Sequence, residues 1–132
     1  MRVLALDHGE ARCGCAVSDP SGTLATPLEA IERPETRKGL ARIAALAEEL
    51  DAERVLVGLP LTLAGEEGGQ AERAREFAER LKPRLRVPID LYDERLTTRM
   101  ADATGGKADS DSVAAAHLLE SYLAAHAAGS DS

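Results

Sequence analysis

An apolar stretch from Arg2 to Leu6 opens the chain and stops at Asp7-His8-Gly9. After the turn Gly9-Glu10-Ala11, the segment Arg12-Cys13-Gly14-Cys15-Ala16-Val17 is short and compatible with a strand. Asp19-Pro20-Ser21-Gly22 is a strong turn signal, and a third extended piece follows from Thr23 to Ile31. Three short strands joined by tight turns predict an antiparallel meander. From about Glu35 to Asp51 the period changes: Leu40, Ile43, Ala44, Ala47 and Leu50 recur at helical spacing. Val55-Leu56-Val57-Gly58-Leu59 is then a continuous apolar run closed by Pro60, the pattern of a strand buried on both faces. Leu61 to Gly69 carries three glycines and reads as a mobile loop. A second helix is expected from about Gln70 to Leu81, with Ala71, Ala74, Ala78 and Leu81 on one face. Pro88-Ile89-Asp90-Leu91-Tyr92 is a further short strand. Thr97 or Thr98 is a cap for a short helix that Gly105-Gly106 breaks, and a last helix runs from near Ser110 to about Ala127.

The order is therefore β-β-β-α-β-α-β-α. Strands that alternate with helices after a meander imply an α/β fold, a mixed five-stranded sheet with helices on both faces. Right-handed crossovers make the first, fourth and fifth strands mutually parallel. A chain of 132 residues is expected to form one domain, residues 1–127, followed by a flexible tail at 128–132. Hydrophobic residues make up 44% and aromatics only 2%, with no Trp, so Ala, Leu, Val and Ile must fill the core. The opening apolar run is too short for a signal peptide or a membrane span. Cys13 and Cys15 are too close in sequence to staple a fold, and no further Cys completes a zinc spacing. A reducing cytoplasm is the expected location. The formal net charge of −7 argues against a nucleic-acid binder on its face, because phosphate contacts need Lys and Arg.

The acids change that picture. Ligands on open α/β sheets bind beyond the carboxyl ends of the parallel strands. Asp7 ends the first strand, Gly58-Leu59-Pro60 the fourth and Asp93-Glu94 the fifth, so parallel strands bring these ends to one rim, with a gap at Gly58. Asp111, Ala114, Ala115, Leu118 and Tyr122 share one face of the last helix. Val3, Ala5 and Asp7 share one face of the first strand. Docking the two faces, through the small side chains of Ala5 and Ala114-Ala115-Ala116, would bring Asp111 near Asp7. Clustered carboxylates repel one another unless a cation is present. A hard divalent ion, Mg²⁺ or Mn²⁺, resolves that. Two such ions about 4 Å apart serve phosphodiester hydrolysis.

At these residues the chain resembles the YqgF/RuvX family of pre-16S rRNA nucleases and Holliday-junction-resolvase-like proteins. The resemblance covers roughly residues 2 to 123. It runs through Leu6-Asp7-His8-Gly9, Arg12-Cys13-Gly14-Cys15-Ala16, Val57-Gly58-Leu59-Pro60-Leu61, Asp93-Glu94-Arg95-Leu96-Thr97-Thr98 and Asp111-Ser112-Val113-Ala114-Ala115. Asp-x-Gly alone is common to many folds, whereas these blocks in this order are specific. The resemblance implies a ribonuclease H-like fold. It also implies a metal-dependent nuclease acting on structured RNA, in maturation of the 16S rRNA 5′ end. Carried over by position, the metal-holding and catalytic acids are Asp7, Glu94 and Asp111. The chain departs from the family pattern at His8, where an apolar residue is commoner, and at Cys13 and Cys15, usually aliphatic.

Each residue also has a plainer reading. Asp7 could cap a turn before Gly9. Asp93 competes with Glu94, and Asp109 with Asp111. Arg12 and Arg95 flank the proposed site and would hold phosphate, or else pair with a nearby acid. His8 is placed either to act as a base beside Asp7 or simply to fill space, and the two cysteines read as small buried hydrophobes. The expected partners are RNA, as pre-16S rRNA or the pre-ribosome, or else branched DNA, whose symmetric cleavage needs two sites and hence a homodimer rather than a monomer. A nucleotide-binding module sharing the Asp-x-Gly opening, or an RNA-binding protein of the ribosome without catalysis, are rivals of a different class. No membrane contact is expected.

Overall fold

A computed structural model describes residues 1–9, 11–60, 68–93 and 110–129. Strands β1 (Val3–His8), β2 (Arg12–Ser18) and β3 (Ala25–Glu32) form the meander, and α1 (Arg37–Glu49), β4 (Arg54–Leu59), α2 (Gly69–Leu81), β5 (Ile89–Asp93) and α3 (Ser110–Gly129) follow. A 3₁₀ turn, Lys82–Arg84, separates α2 from β5. The sheet order is β3-β2-β1-β4-β5. β1 pairs antiparallel to β2 and parallel to β4, and β4 pairs parallel to β5, so three carboxyl ends meet on one rim as expected. β1 extends two residues past its apolar run, because Asp7 and His8 still pair with Gly14 and Cys13. α3 likewise runs past Ala127 to Gly129. The loop read over Leu61–Gly69 falls at 61–67 outside the described residues, as do the short helix read after Thr97 and the tail at 130–132.

The alternation of β residues divides the core in two. Leu4, Leu6, Val55, Val57, Leu59, Cys13 and Cys15 pack under α1 and α2 with Leu40, Ile43, Ala74, Phe77 and Leu81. Val3, Ala5, Ala16 and Leu56 pack under α3 with Ala115, Leu118, Leu119, Tyr122 and Leu123. Helices therefore cover both faces, and a core almost free of aromatics is filled by aliphatic side chains and alanine. The reading of α3's buried stripe holds at Ala115, Leu118 and Tyr122, but Ala114 is only half-buried and Leu119 takes its place in the core.

Local chemistry fixes the element ends. Thr36 caps α1, its hydroxyl accepting from the Gly39 amide at 3.0 Å. Gly39 is required there: a Cβ would lie 2.1 Å from the Arg33 carbonyl oxygen. In the β2–β3 turn Asp19 accepts from the Thr23 and Leu24 amides at 2.8 and 2.9 Å. These bonds, the Leu24 amide first, and that of the Ser21 hydroxyl hold its carboxyl well below the usual range. The turn thus gains stability from Asp19 ionisation above the unfolded pKa, and loses it only as pH falls through the lower folded one.

Candidate active site

The rim is assembled by strand parity. Asp7 follows Val3 and Ala5 onto the face that α3 covers. Its partner across the β1–β2 ladder is Gly14. On its other side the β1–β4 ladder ends at Leu6–Val57, and the next β4 residue is Gly58, itself paired with Tyr92. The half-buried Asp7 carboxylate therefore stands at the carboxyl end of a central strand with a glycine on either flank. The residues directly alongside it on β2 and β4 are glycines. This is the gap read from Gly58, widened by Gly14.

The start of α3 docks at the same place. The buried Ser112 hydroxyl accepts a bond from the Cys15 amide at 3.2 Å. Cys15 lies opposite Leu6, one pair from Asp7 and Gly14. The β2–β3 register shifts between Cys13 and Cys15, next to the amide that Ser112 takes. The first turn of α3, which contains Asp111, is thereby pinned over the β1–β2 pair. Periodicity alone did not single out Ser112. Its only sequence signal is a small polar residue at the head of the alanine stretch that docks on Ala5.

The remaining candidates divide as follows. Arg12 is exposed at the start of β2, on the same rim, opposite Glu32 in the β2–β3 strand register. Asp93 ends β5 on the side of Ile89 and Leu91, which face α1 and α2, whereas Asp90 and Tyr92 share the α3 side. Asp90 is held by Arg54, whose guanidinium pKa that carboxylate raises. Glu94 and Arg95 lie outside the described residues, as does the Asp111 side chain. Among the described residues no group of three or more His, Cys, Asp or Glu side chains converges. Among the described residues, the acid on the α3 side of this rim is Asp7, a hard oxygen donor. That donor type suits Mg²⁺ or Mn²⁺.

The two cysteines are buried and unoxidised, as small core residues. The Cys13 thiol is pushed well above its usual pKa, first by its bond with Cys15, then by burial and the nearby Cys15 and Asp7 charges, so it is a poor nucleophile. The His8 side chain is buried, as a space-filling residue, and is not turned toward Asp7. It is in β1, on the opposite face, with its ring stacked on Phe77 at 4.6 Å.

Similarity to known proteins bears on this rim. The sequence profile of the RuvX family, described as Holliday junction resolvase, matches residues 1–125. A Chloroflexus aurantiacus protein is 41% identical over 130 residues, 92% of this chain and 85% of the relative. One from Mycobacterium tuberculosis is 46% identical over 132 residues, 92% of this chain and 78% of the relative. One from Syntrophomonas wolfei is 36% identical over 140 residues, 99% of each. All three carry the name "Putative pre-16S rRNA nuclease". Among solved structures, T. thermophilus RuvC in complex with Holliday junction substrate covers 97% of this chain and 96% of its own, with TM-score 0.60 and 17% identity. The fowlpox virus Holliday junction resolvase covers 95% and 99%, with TM-score 0.56 and 11% identity. At those identities the likeness is one of fold, and the ribonuclease H-like architecture expected from the resemblance stands.

Proposed function

The chain belongs to the RuvX family, and on that footing we propose that it is a nuclease that hydrolyses RNA phosphodiester bonds at a divalent-metal site centred on Asp7, maturing the 5′ end of precursor 16S rRNA. The observation that carries the reading is the placement of Asp7. It ends a central parallel strand between two glycines, with the start of α3 pinned across it by Ser112. In this reading Asp7, Glu94 and Asp111 hold Mg²⁺ or Mn²⁺. A divalent cation, when bound, supplies the Lewis acidity and the acidified water that phosphodiester hydrolysis needs. The chain's own contribution would be to bring these acids to one rim, where the residues directly alongside Asp7 are glycines. Arg12 and Arg95 would steady the neighbouring phosphates. No side chain has to form a covalent intermediate.

The net charge of −7 fits this division of labour. The long-range field repels RNA, so binding must come from the cations and from local arginines, and it should weaken steeply with salt. Among the described residues no helix is long and apolar enough to cross a membrane. We place the protein in the cytoplasm, where its proposed substrate is.

The family description and the fold of the resolvases support a second reading, branched DNA as substrate. Symmetric cleavage of a four-way junction would need a homodimer, whereas cutting a single RNA strand needs only one active site. One experiment separates the two. Incubating the protein with 16S precursor RNA and, in parallel, a four-way DNA junction, in Mn²⁺ or in chelator, should give discrete RNA products only with metal. Products mapping to the 5′ end of 16S rRNA are expected. Metal-dependent cleavage confined to the junction would replace the RNA reading with the resolvase one.

A further inference from the structure

The end of β1 is held unevenly. Its ladder with β4 stops at Leu6–Val57, so Asp7 and His8 are paired only on the β2 side. There the cross-strand partner of Asp7 is Gly14. The turn that follows is tight, with the Gly9 amide donating to the Arg12 carbonyl at 3.1 Å and a Cβ on Gly9 lying 2.8 Å from that oxygen. On the opposite face the strand end is held through His8. Its ring stacks on Phe77 of α2 with 27° between the planes, and its Nε2 lies 2.7 Å from the Glu35 carboxylate just before α1. A carboxylate can only accept, so Nε2 carries the proton and donates. The His8 side chain is 5% exposed and that of Glu35 45%.

Resting on the reading of Asp7 as the metal's ligand, we propose that His8 and Glu35 are positioning residues for the Asp7 carboxylate. Successive side chains of a strand point to opposite faces, so the peptide shared by residues 7 and 8 cannot turn for one without turning for the other. Anchoring the His8 ring between α2 and the β3–α1 turn fixes the direction in which Asp7 leaves the strand. The bond to Glu35 sets the rotation of the ring about its stack. Support of this kind matters to a metal ligand because small misplacements lower affinity and rate.

Glu35 provides the test because it is half exposed and removing it should cost the fold little. In the full chain, Glu35→Ala should weaken Mn²⁺ binding, measured by calorimetry without RNA, and should lower kcat. Both effects should be about three- to tenfold, milder than loss of a direct partner of a ligand. KM for precursor RNA should stay within about twofold, since no RNA contact is removed. The melting temperature should move by no more than about 3 °C. Glu35→Gln keeps an amide oxygen for the His8 proton and should restore both quantities, while His8→Leu should reproduce the Glu35→Ala defect. Wild-type Mn²⁺ affinity and kcat in Glu35→Ala, or a defect that Glu35→Gln leaves unrepaired, would overturn the proposal. Asp7→Asn runs beside them as the control. If it binds Mn²⁺ like wild type, the metal reading itself fails; if it alone loses the metal, only the positioning role fails.

Discussion

Asp7→Asn should keep the fold and lose metal-dependent RNA cleavage by about a thousandfold or more, roughly 4 kcal/mol of transition-state stabilisation. The substitution is nearly isosteric, and the residue is half-buried at a strand end between two glycines, so no core contact is removed. What goes is the negative charge that offsets a cation. An amide oxygen is a weaker donor, and it leaves the rim one charge short. The expected signature is therefore a collapse of kcat with an unchanged melting curve. Substantial cleavage in this variant would remove Asp7 from the chemistry and, with it, the reason for reading this rim as the active site.

The largest effect on stability is expected at Phe77, the only phenylalanine in the chain and 1% exposed. Phe77→Ala should cost about 3–5 kcal/mol, read as a lower denaturation midpoint with little change in slope. The core under α1 and α2 has few means of recovering that volume, because its other members are aliphatic residues, alanines and the two cysteines, already packed together. The variant also removes the surface on which His8 stacks, so cleavage per folded molecule should fall as well. A cost below about 1.5 kcal/mol would mean that the surrounding side chains collapse into the space, and that the core is more plastic than its composition implies.

Much of this architecture was legible in the sequence because it rests on two periodicities. The run Val55–Leu59 read as a doubly buried strand and is one. The spacing of Leu40, Ile43 and Ala47 placed α1, and the parity of Val3, Ala5 and Asp7 put the acid on the α3 face. Element ends were less legible, since pairing rather than hydropathy decides them: β1 continues through Asp7 and His8 because β2 still faces them. The site was half legible. Its central acid and its glycine gap follow from where an apolar run stops. Two devices that arrange it do not, because each depends on contacts distant in sequence. Ser112 meets an amide 97 positions away, and His8 meets Phe77 and Glu35 on the face away from Asp7. Read along the chain, His8 could be a base beside Asp7 or a space-filling residue; in the fold its ring packs on Phe77, on the face away from that carboxylate. The choice of Glu94 over Asp93 rests mainly on family resemblance, and that of Asp111 over Asp109 on the resemblance together with the place of Asp111 on the apolar face of the last helix. Asp93 itself shares the α1–α2 side of β5 with Ile89 and Leu91.

The central claim, that Asp7 anchors a divalent cation on the carboxyl-end rim, is tested most directly by locating the ion. Anomalous diffraction from crystals grown with Mn²⁺ should show a peak at bonding distance, about 2.2 Å, from an Asp7 carboxylate oxygen, on the α3 face between Gly14 and Gly58. Manganese bound elsewhere in the molecule, with the Asp7 carboxylate unligated, would contradict the account.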